Sequence, residues 1–66
     1  MGTPVGNNVQ ELRLAARITQ EELAQKIGVS RQTVIAIEKG NYTPSVLLAL
    51  KLARYFKRNV EEIFRL

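Results

Sequence analysis

Apolar residues recur along the chain at three- and four-residue steps in several separate windows, which is the period of helices that bury one face. Within residues 20–39, QEELAQKIGVSRQTVIAIEK, one stripe is made by Leu23, Ala24 and Ile27 and a second by Val29, Val34 and Ile37. Gly28 stands between the stripes. Glycine adopts the left-handed conformation that ends a helix at least cost, and Ser30 is placed to cap the helix that follows. The stretch therefore reads as a helix, a tight turn and a second helix, with the rest of the chain arranged to hold it.

The same patterning extends to both sides. Residues 1–6 have no period and carry Pro4 between two glycines, so they read as a flexible tail. Asn7 or Asn8 can cap a first helix running to about residue 17, with Val9, Leu12 and Ala16 inward and Ile18 plugging the corner. Leu14 interrupts its polar side. Thr19-Gln20-Glu21-Glu22 is a capping box that starts the second helix at Gln20. The third helix begins at Arg31 and stops at Gly40-Asn41. Thr43 as cap and Pro44 as first helical residue open a fourth helix reaching about Phe56. Val46, Ala49, Ala53 and Phe56 make its inner stripe, but Leu47, Leu48, Leu50, Leu52 and Tyr55 surround it. One small core cannot use all of these, which points to a subunit interface. A second capping pattern at residues 59–62 starts a short fifth helix, with Val60, Ile63 and Phe64 turned inward or toward a partner. The expected fold is all-α, five helices in one domain spanning residues 1–66, with no internal repeat or linker.

At about 100° per residue, Val34 and Ile37 point one way on the third helix, which leaves Gln32, Ile35, Ala36 and Lys39 roughly opposite with Arg31 at the edge. A helix whose outer face begins Arg-Gln suits the DNA major groove, since Arg pairs bidentately with guanine and Gln with adenine. Taken alone the two residues read rather as a solubilising surface; the turn preceding them reverses that balance toward the groove. The amides at the start of the second helix, with the Gln20 side chain, make a seat for a phosphate, although a plain cap with an exposed glutamine explains them as well. The polar loop Asn41-Tyr42-Thr43 can grip a sugar-phosphate backbone, as polar loops in general can.

At 66 residues the chain is near the size at which a fold is marginally stable, and a partner subunit would help. The net charge of +4 favours a polyanionic partner, but positive and negative residues nearly cancel up to Gly40. The excess lies in Lys51, Arg54, Lys57 and Arg58, which also suit the solvated side of a helix. Having neither Cys nor His, the chain lacks disulfides, thiol and imidazole chemistry and the usual zinc ligands. No apolar run approaches the roughly 20 residues needed to span a bilayer, and the N-terminus lacks a signal-peptide pattern, so no membrane association and a cytoplasmic location are expected. An enzyme is a poor reading: no nucleophile is paired with a base, acids cluster only at helix starts, and nothing calls for a metal or cofactor.

The residues TQEELAQKIGVSRQTVIAIEKGNYTPS, the leucine-rich helix after them and VEEIF together resemble the XRE-type helix-turn-helix regulators, relatives of the phage repressor and Cro DNA-binding domains. The resemblance covers about residues 9–64. It implies a five-helix, lambda-repressor-like domain that binds double-stranded operator DNA as a homodimer and acts mainly as a transcriptional repressor. Carried over by position, it implies base reading by Arg31 and Gln32 with Ala36 toward the groove floor. Gln20, Thr33, Lys39, Asn41, Tyr42, Thr43 and Ser45 would contact phosphates or position the helix, and Arg13 and Glu38 would form a structural ion pair. Ala36 stands where many relatives place a polar residue, so reading would lean on Arg31, Gln32 and a thymine methyl. Ile35 is either covered by Tyr42 or in contact with DNA. Leu47 stands where relatives often carry a charge, which adds to the interface argument. The expected dimer residues are Leu47, Leu50, Tyr55, Phe64 and Leu66. The alternative is an antitoxin-like protein whose leucines cover a partner protein while the helix-turn-helix autoregulates.

Overall fold

The computed structural model describes residues 5–66. In chain order the elements are β1 (Gly6–Asn7), α1 (Val9–Ala15), α2 (Gln20–Ile27), α3 (Arg31–Glu38), α4 (Val46–Phe56), α5 (Val60–Ile63) and β2 (Phe64–Arg65). The five helices surround a core in which Val9, Leu23, Val34, Ile37, Leu52 and Ile63 are the largest fully buried side chains. The helix-turn-helix core residues Leu23, Ala24, Ile27, Val34 and Ile37 are all buried, as their spacing predicts.

Local signals set most of the ends. The Thr19 hydroxyl accepts the Glu22 amide at 3.0 Å and the Glu22 carboxylate accepts the Thr19 amide at 2.8 Å, so the capping box forms. Gly28 is left-handed at φ 73° and closes α2, and Ser30 caps α3 by accepting the Thr33 amide at 3.2 Å. At the end of α3, Gly40 is left-handed at φ 77°, its amide reaching the Ile37 carbonyl at 3.0 Å while Asn41 reaches Ala36 at 2.9 Å. That pair of bonds satisfies carbonyls the helix leaves open. At residues 59–62, the Glu62 carboxylate accepts the Asn59 amide at 2.8 Å.

Several expectations are corrected. Helix α1 stops at Ala15 because Arg17 turns left-handed at φ 60°, and Ala16 lies exposed rather than inward. Ser45, not Thr43, caps α4, accepting the Leu48 amide at 3.2 Å, and Pro44 precedes the cap. The inner face of α4 is Leu48, Leu52 and Ala53, whereas Val46 is 77% exposed. A helix apolar on more than one side does not by itself define which side is buried; packing against α2 and α5 decides it. Phe64 leaves α5 and begins β2.

The expected tail also divides. Residues 1–4 lie outside the described part, but Gly6 and Asn7 pair antiparallel with Arg65 and Phe64 in a short ribbon, and Val5 packs against the core. Asn7 fastens this ribbon to the helix-turn-helix, its Nδ2 donating to the Ile37 carbonyl at 2.8 Å and its Oδ1 accepting the Val9 amide at 3.0 Å. Asn8 holds the other end of the ribbon through its Nδ2 to the Glu62 carbonyl at 2.8 Å and through Arg65, which donates to its Oδ1.

Candidate nucleic-acid interface

Two helix N-termini open on the same side of the molecule. The hollow between them, of about 510 Å³, is lined by Arg13, Thr19, Gln20, Glu21 and Arg31. Amides in the first turn of a helix lack carbonyl partners and carry the positive end of its dipole, so α2 here presents donors suited to an anion. Arg31 brings a guanidinium to the same hollow from α3.

On α3 the inward residues Val34 and Ile37 are buried, Thr33, Ile35 and Ala36 are half-buried, and Arg31 and Gln32 are exposed at the N-terminal turn. The outer face therefore narrows to its first turn. Ser30 and Thr33 place their hydroxyls 3.0 Å apart, which ties Thr33 to the cap. Beyond the helix, Lys39, Asn41, Tyr42 and Thr43 are exposed, and the hydroxyl of Ser45 is already used as a cap. Thr43 also borders a small apolar hollow with Val5, Val46 and Val60.

Beneath this surface, Arg13 and Glu38 lock α1 to α3. Arg13 Nε donates to Glu38 Oε2 at 2.6 Å, a second guanidinium nitrogen reaches Oε1 at 3.3 Å, and a third donates to the Ile18 carbonyl at 2.9 Å. Their side chains are only 9% and 3% exposed, so each charge depends on the other. Gln20 joins them, its Nε2 donating to Glu38 Oε1 at 3.0 Å. One Gln20 amide hydrogen is thereby committed inward, and the expected phosphate contact falls to the remaining one. Spacing could not reveal this link, because it joins two helices through side chains alone. Next to it, hydrogen bonds from the Thr19 backbone and hydroxyl hold the Glu22 carboxyl below its ordinary pKa.

The expected dimer residues do not share one surface. Leu47 and Leu50 flank a hollow with Lys51 and Arg54, and Tyr55 lines an adjoining one with Lys26 and Gly28. Leu66, 93% exposed, lies with Val5 and Phe64 on the ribbon side. Phe64 is only 9% exposed, so most of its surface is already spent in its own core. The ribbon-side surface includes Val5, read from the sequence as tail, Val46, read as inward, and Val60, read as inward or toward a partner.

Similarity to known proteins agrees with this arrangement. A helix-turn-helix family model matches residues 9–63. A relative in Methanocaldococcus jannaschii, described as an uncharacterised HTH-type transcriptional regulator, is 53% identical over 88% of both chains. The phage transcriptional repressor RstR of Vibrio cholerae is 33% identical over 86% of this chain and 51% of its own. Among solved structures, the restriction-modification controller protein C.AhdI from Aeromonas hydrophila superposes with a TM-score of 0.76 at 34% identity, covering 83% of each chain. With its capped turn, its exposed Arg31 and Gln32 and a family match running from α1 through α5, the chain belongs to the XRE-type helix-turn-helix transcriptional regulators.

Proposed function

We propose that this regulator is a repressor that binds a palindromic operator as a homodimer, with α3 in the major groove. The observation that carries the reading is the split of α3: Val34 and Ile37 anchor it in the core while Arg31 and Gln32 stand free at its leading turn. A guanidinium and a carboxamide in that place match the edges of guanine and adenine. The α2 amides and the second Gln20 hydrogen take one phosphate. Thr33, Lys39, Asn41, Tyr42, Thr43 and the start of α4 near Ser45 set the register along the backbone. Ala36, half-buried, offers at most a methyl contact, so the read-out is concentrated in Arg31 and Gln32 and aided by DNA shape. That the Vibrio relative is a phage transcriptional repressor supports the direction of regulation.

The second copy sits best on the ribbon side. There the hollows bordered by Val5, Val46, Val60, Phe64 and Leu66 are mainly apolar, and Glu61 and Arg65 at their edge are of opposite sign. An isologous contact sets a patch against itself, so a patch holding both signs can pair with its twin. Two recognition helices related by such a two-fold read half-sites about one helical turn, roughly 34 Å, apart.

Arg31→Ala and Gln32→Ala test the reading face. On an operator selected from random duplexes, each should weaken specific binding by about 1–3 kcal/mol in fluorescence anisotropy, with non-specific binding much less affected. Undiminished operator affinity in both variants rules out this face.

A further inference from the structure

The excess positive charge of the chain is not on the reading face. Lys51 and Arg54 lie on the outer side of α4, interleaved at helical spacing with Leu47 and Leu50, which are 63% and 54% exposed. Two hollows, of about 280 and 400 Å³, share Lys51 and Arg54; the first is bordered by α4 alone, with Leu47 and Leu50, and the second runs between Tyr55 of α4 and Lys26 and Gly28 at the end of α2. Lys51 leans over the turn, its ammonium 3.9 Å from where a β-carbon on Gly28 would stand. Among the described residues the one ion pair is Arg13–Glu38, so Lys51 and Arg54 have no carboxylate partner, and Lys26 acts only at longer range on Glu22 one turn earlier.

Three occupants compete for this surface, and its chemistry separates them. A second copy placed here by a two-fold would bring Lys51 and Arg54 close to their own twins, which is repulsive. Operator DNA is held at the other end of α4: Lys51 is six residues beyond Ser45, roughly 9 Å along the helix, and Arg54 is nearly one turn farther. Hollows that follow α4 and continue between α4 and the end of α2 also fit a rod better than a flat bilayer surface. Leucines flanked by cations along a cleft complement a helix with apolar anchors every three to four residues and carboxylates beside them.

We propose that the outer side of α4, continued by the cleft it forms with the end of α2, docks an acidic amphipathic helix of a partner protein. Leu47 and Leu50 take its apolar anchors, and Lys26, Lys51 and Arg54 pair with its carboxylates. The site lies apart from the reading face and from the ribbon-side dimer contact, so it is available while the regulator is on DNA.

The test uses the full chain and a fluorescein-labelled peptide of about 18 residues, long enough to hold a helix. The peptide is built of Leu, Ala and Glu, with Leu at helical spacing and Glu beside it. Saturable binding with a dissociation constant of roughly 10–100 µM is expected. Lys51→Glu with Arg54→Glu, and separately Leu47→Ser with Leu50→Ser, should each weaken it at least tenfold, while Arg31→Ala leaves it unchanged. The same peptide with every Glu replaced by Gln should bind at least tenfold more weakly. Circular dichroism and operator binding of each variant confirm that it folds. Absence of saturation, or equal binding by the Gln peptide, overturns the proposal. So does a lost homodimer in the leucine variant, which assigns the face to a second copy, or a lowered salt slope of operator binding in the charge variant, which assigns it to DNA. Preference for anionic phosphatidylserine vesicles over the peptide overturns it in favour of a membrane.

Discussion

Helices α3 and α4 are built alike and exposed unalike. Each is capped by a serine, Ser30 or Ser45, whose hydroxyl accepts an amide three residues on, and each buries one stripe in the common core. On the outside, α3 offers Arg31 and Gln32, while α4 offers Val46, Leu47 and Leu50 with Lys51 and Arg54 beside them. A polar group with no partner inside the protein keeps its hydrogen bonds for a polar ligand, whereas exposed leucine and valine gain only by excluding water. On the proposed reading the two helices, of 8 and 11 residues, divide the work, α3 toward nucleotides and α4 toward protein.

The division holds only if α3 is rigidly placed, and Glu38 is where that is most open to attack. Removing one member of a buried pair strands the other charge and costs about 3–5 kcal/mol. At about 0.05–0.15 kcal/mol per residue, a chain of this size has a total stability of only about 3–10 kcal/mol. Glu38→Ala, which leaves Arg13 unpaired and releases Gln20, should therefore lose most of its stability in urea unfolding. Wild-type stability in this variant would mean that α3 is held by the apolar core alone.

A smaller effect separates the two sides of α4. Leu66→Asp introduces a charge on the ribbon side at a position already 93% exposed, so the monomer fold is kept while like charges meet across the proposed two-fold. Sedimentation should show the dimer dissociation constant raised at least tenfold, about 1.4 kcal/mol. Leu47→Asp, at a position 63% exposed on the basic side, should leave it unchanged. The reverse result would transfer the dimer contact to the basic side and remove the distinction drawn between them.

How far the sequence discloses this division depends on whether a feature is local. Thr19 with Glu22, Gly28, Ser30 and Gly40 each act within a few residues, and the helix-turn-helix they delimit is legible without coordinates. Arg17 and Lys57 end their helices in the left-handed conformation without being glycine, so those ends carry no compositional mark. The ribbon joins residues almost a whole chain apart through two-residue strands, too short for any period to show. At the site, the exposure of Arg31 and Gln32 follows from the stripe of Val34 and Ile37, but the attachment of Gln20 to Glu38 does not. For α4 the surplus of leucine is visible and its direction is not, because hydrophobicity on more than one side leaves the rotation to tertiary packing.

The smallest effect concerns the other helix that opens on the DNA side. Glu22 is fully exposed, and its carboxyl is held below its ordinary pKa first by the Thr19 backbone amide and then by the Thr19 hydroxyl. A carboxyl whose pKa is lowered by folding stabilises the fold above its unfolded value, near 4.3, and that contribution disappears as the pH falls through the folded value. Glu22→Gln keeps an acceptor for the Thr19 amide but not the charge that favours the start of α2. The variant should therefore melt slightly below the wild type at pH 6–7, and the gap should close as the pH falls below the ordinary carboxylate range in thermal melts followed by circular dichroism. The same reasoning separates capping from DNA contact at this end of the molecule. A phosphate over the α2 amides meets less negative charge in the variant, so operator binding should be unchanged or slightly tighter even as stability falls. Weaker binding in step with stability would instead mean that the capping box, and not the free amides beside it, sets the geometry the phosphate needs.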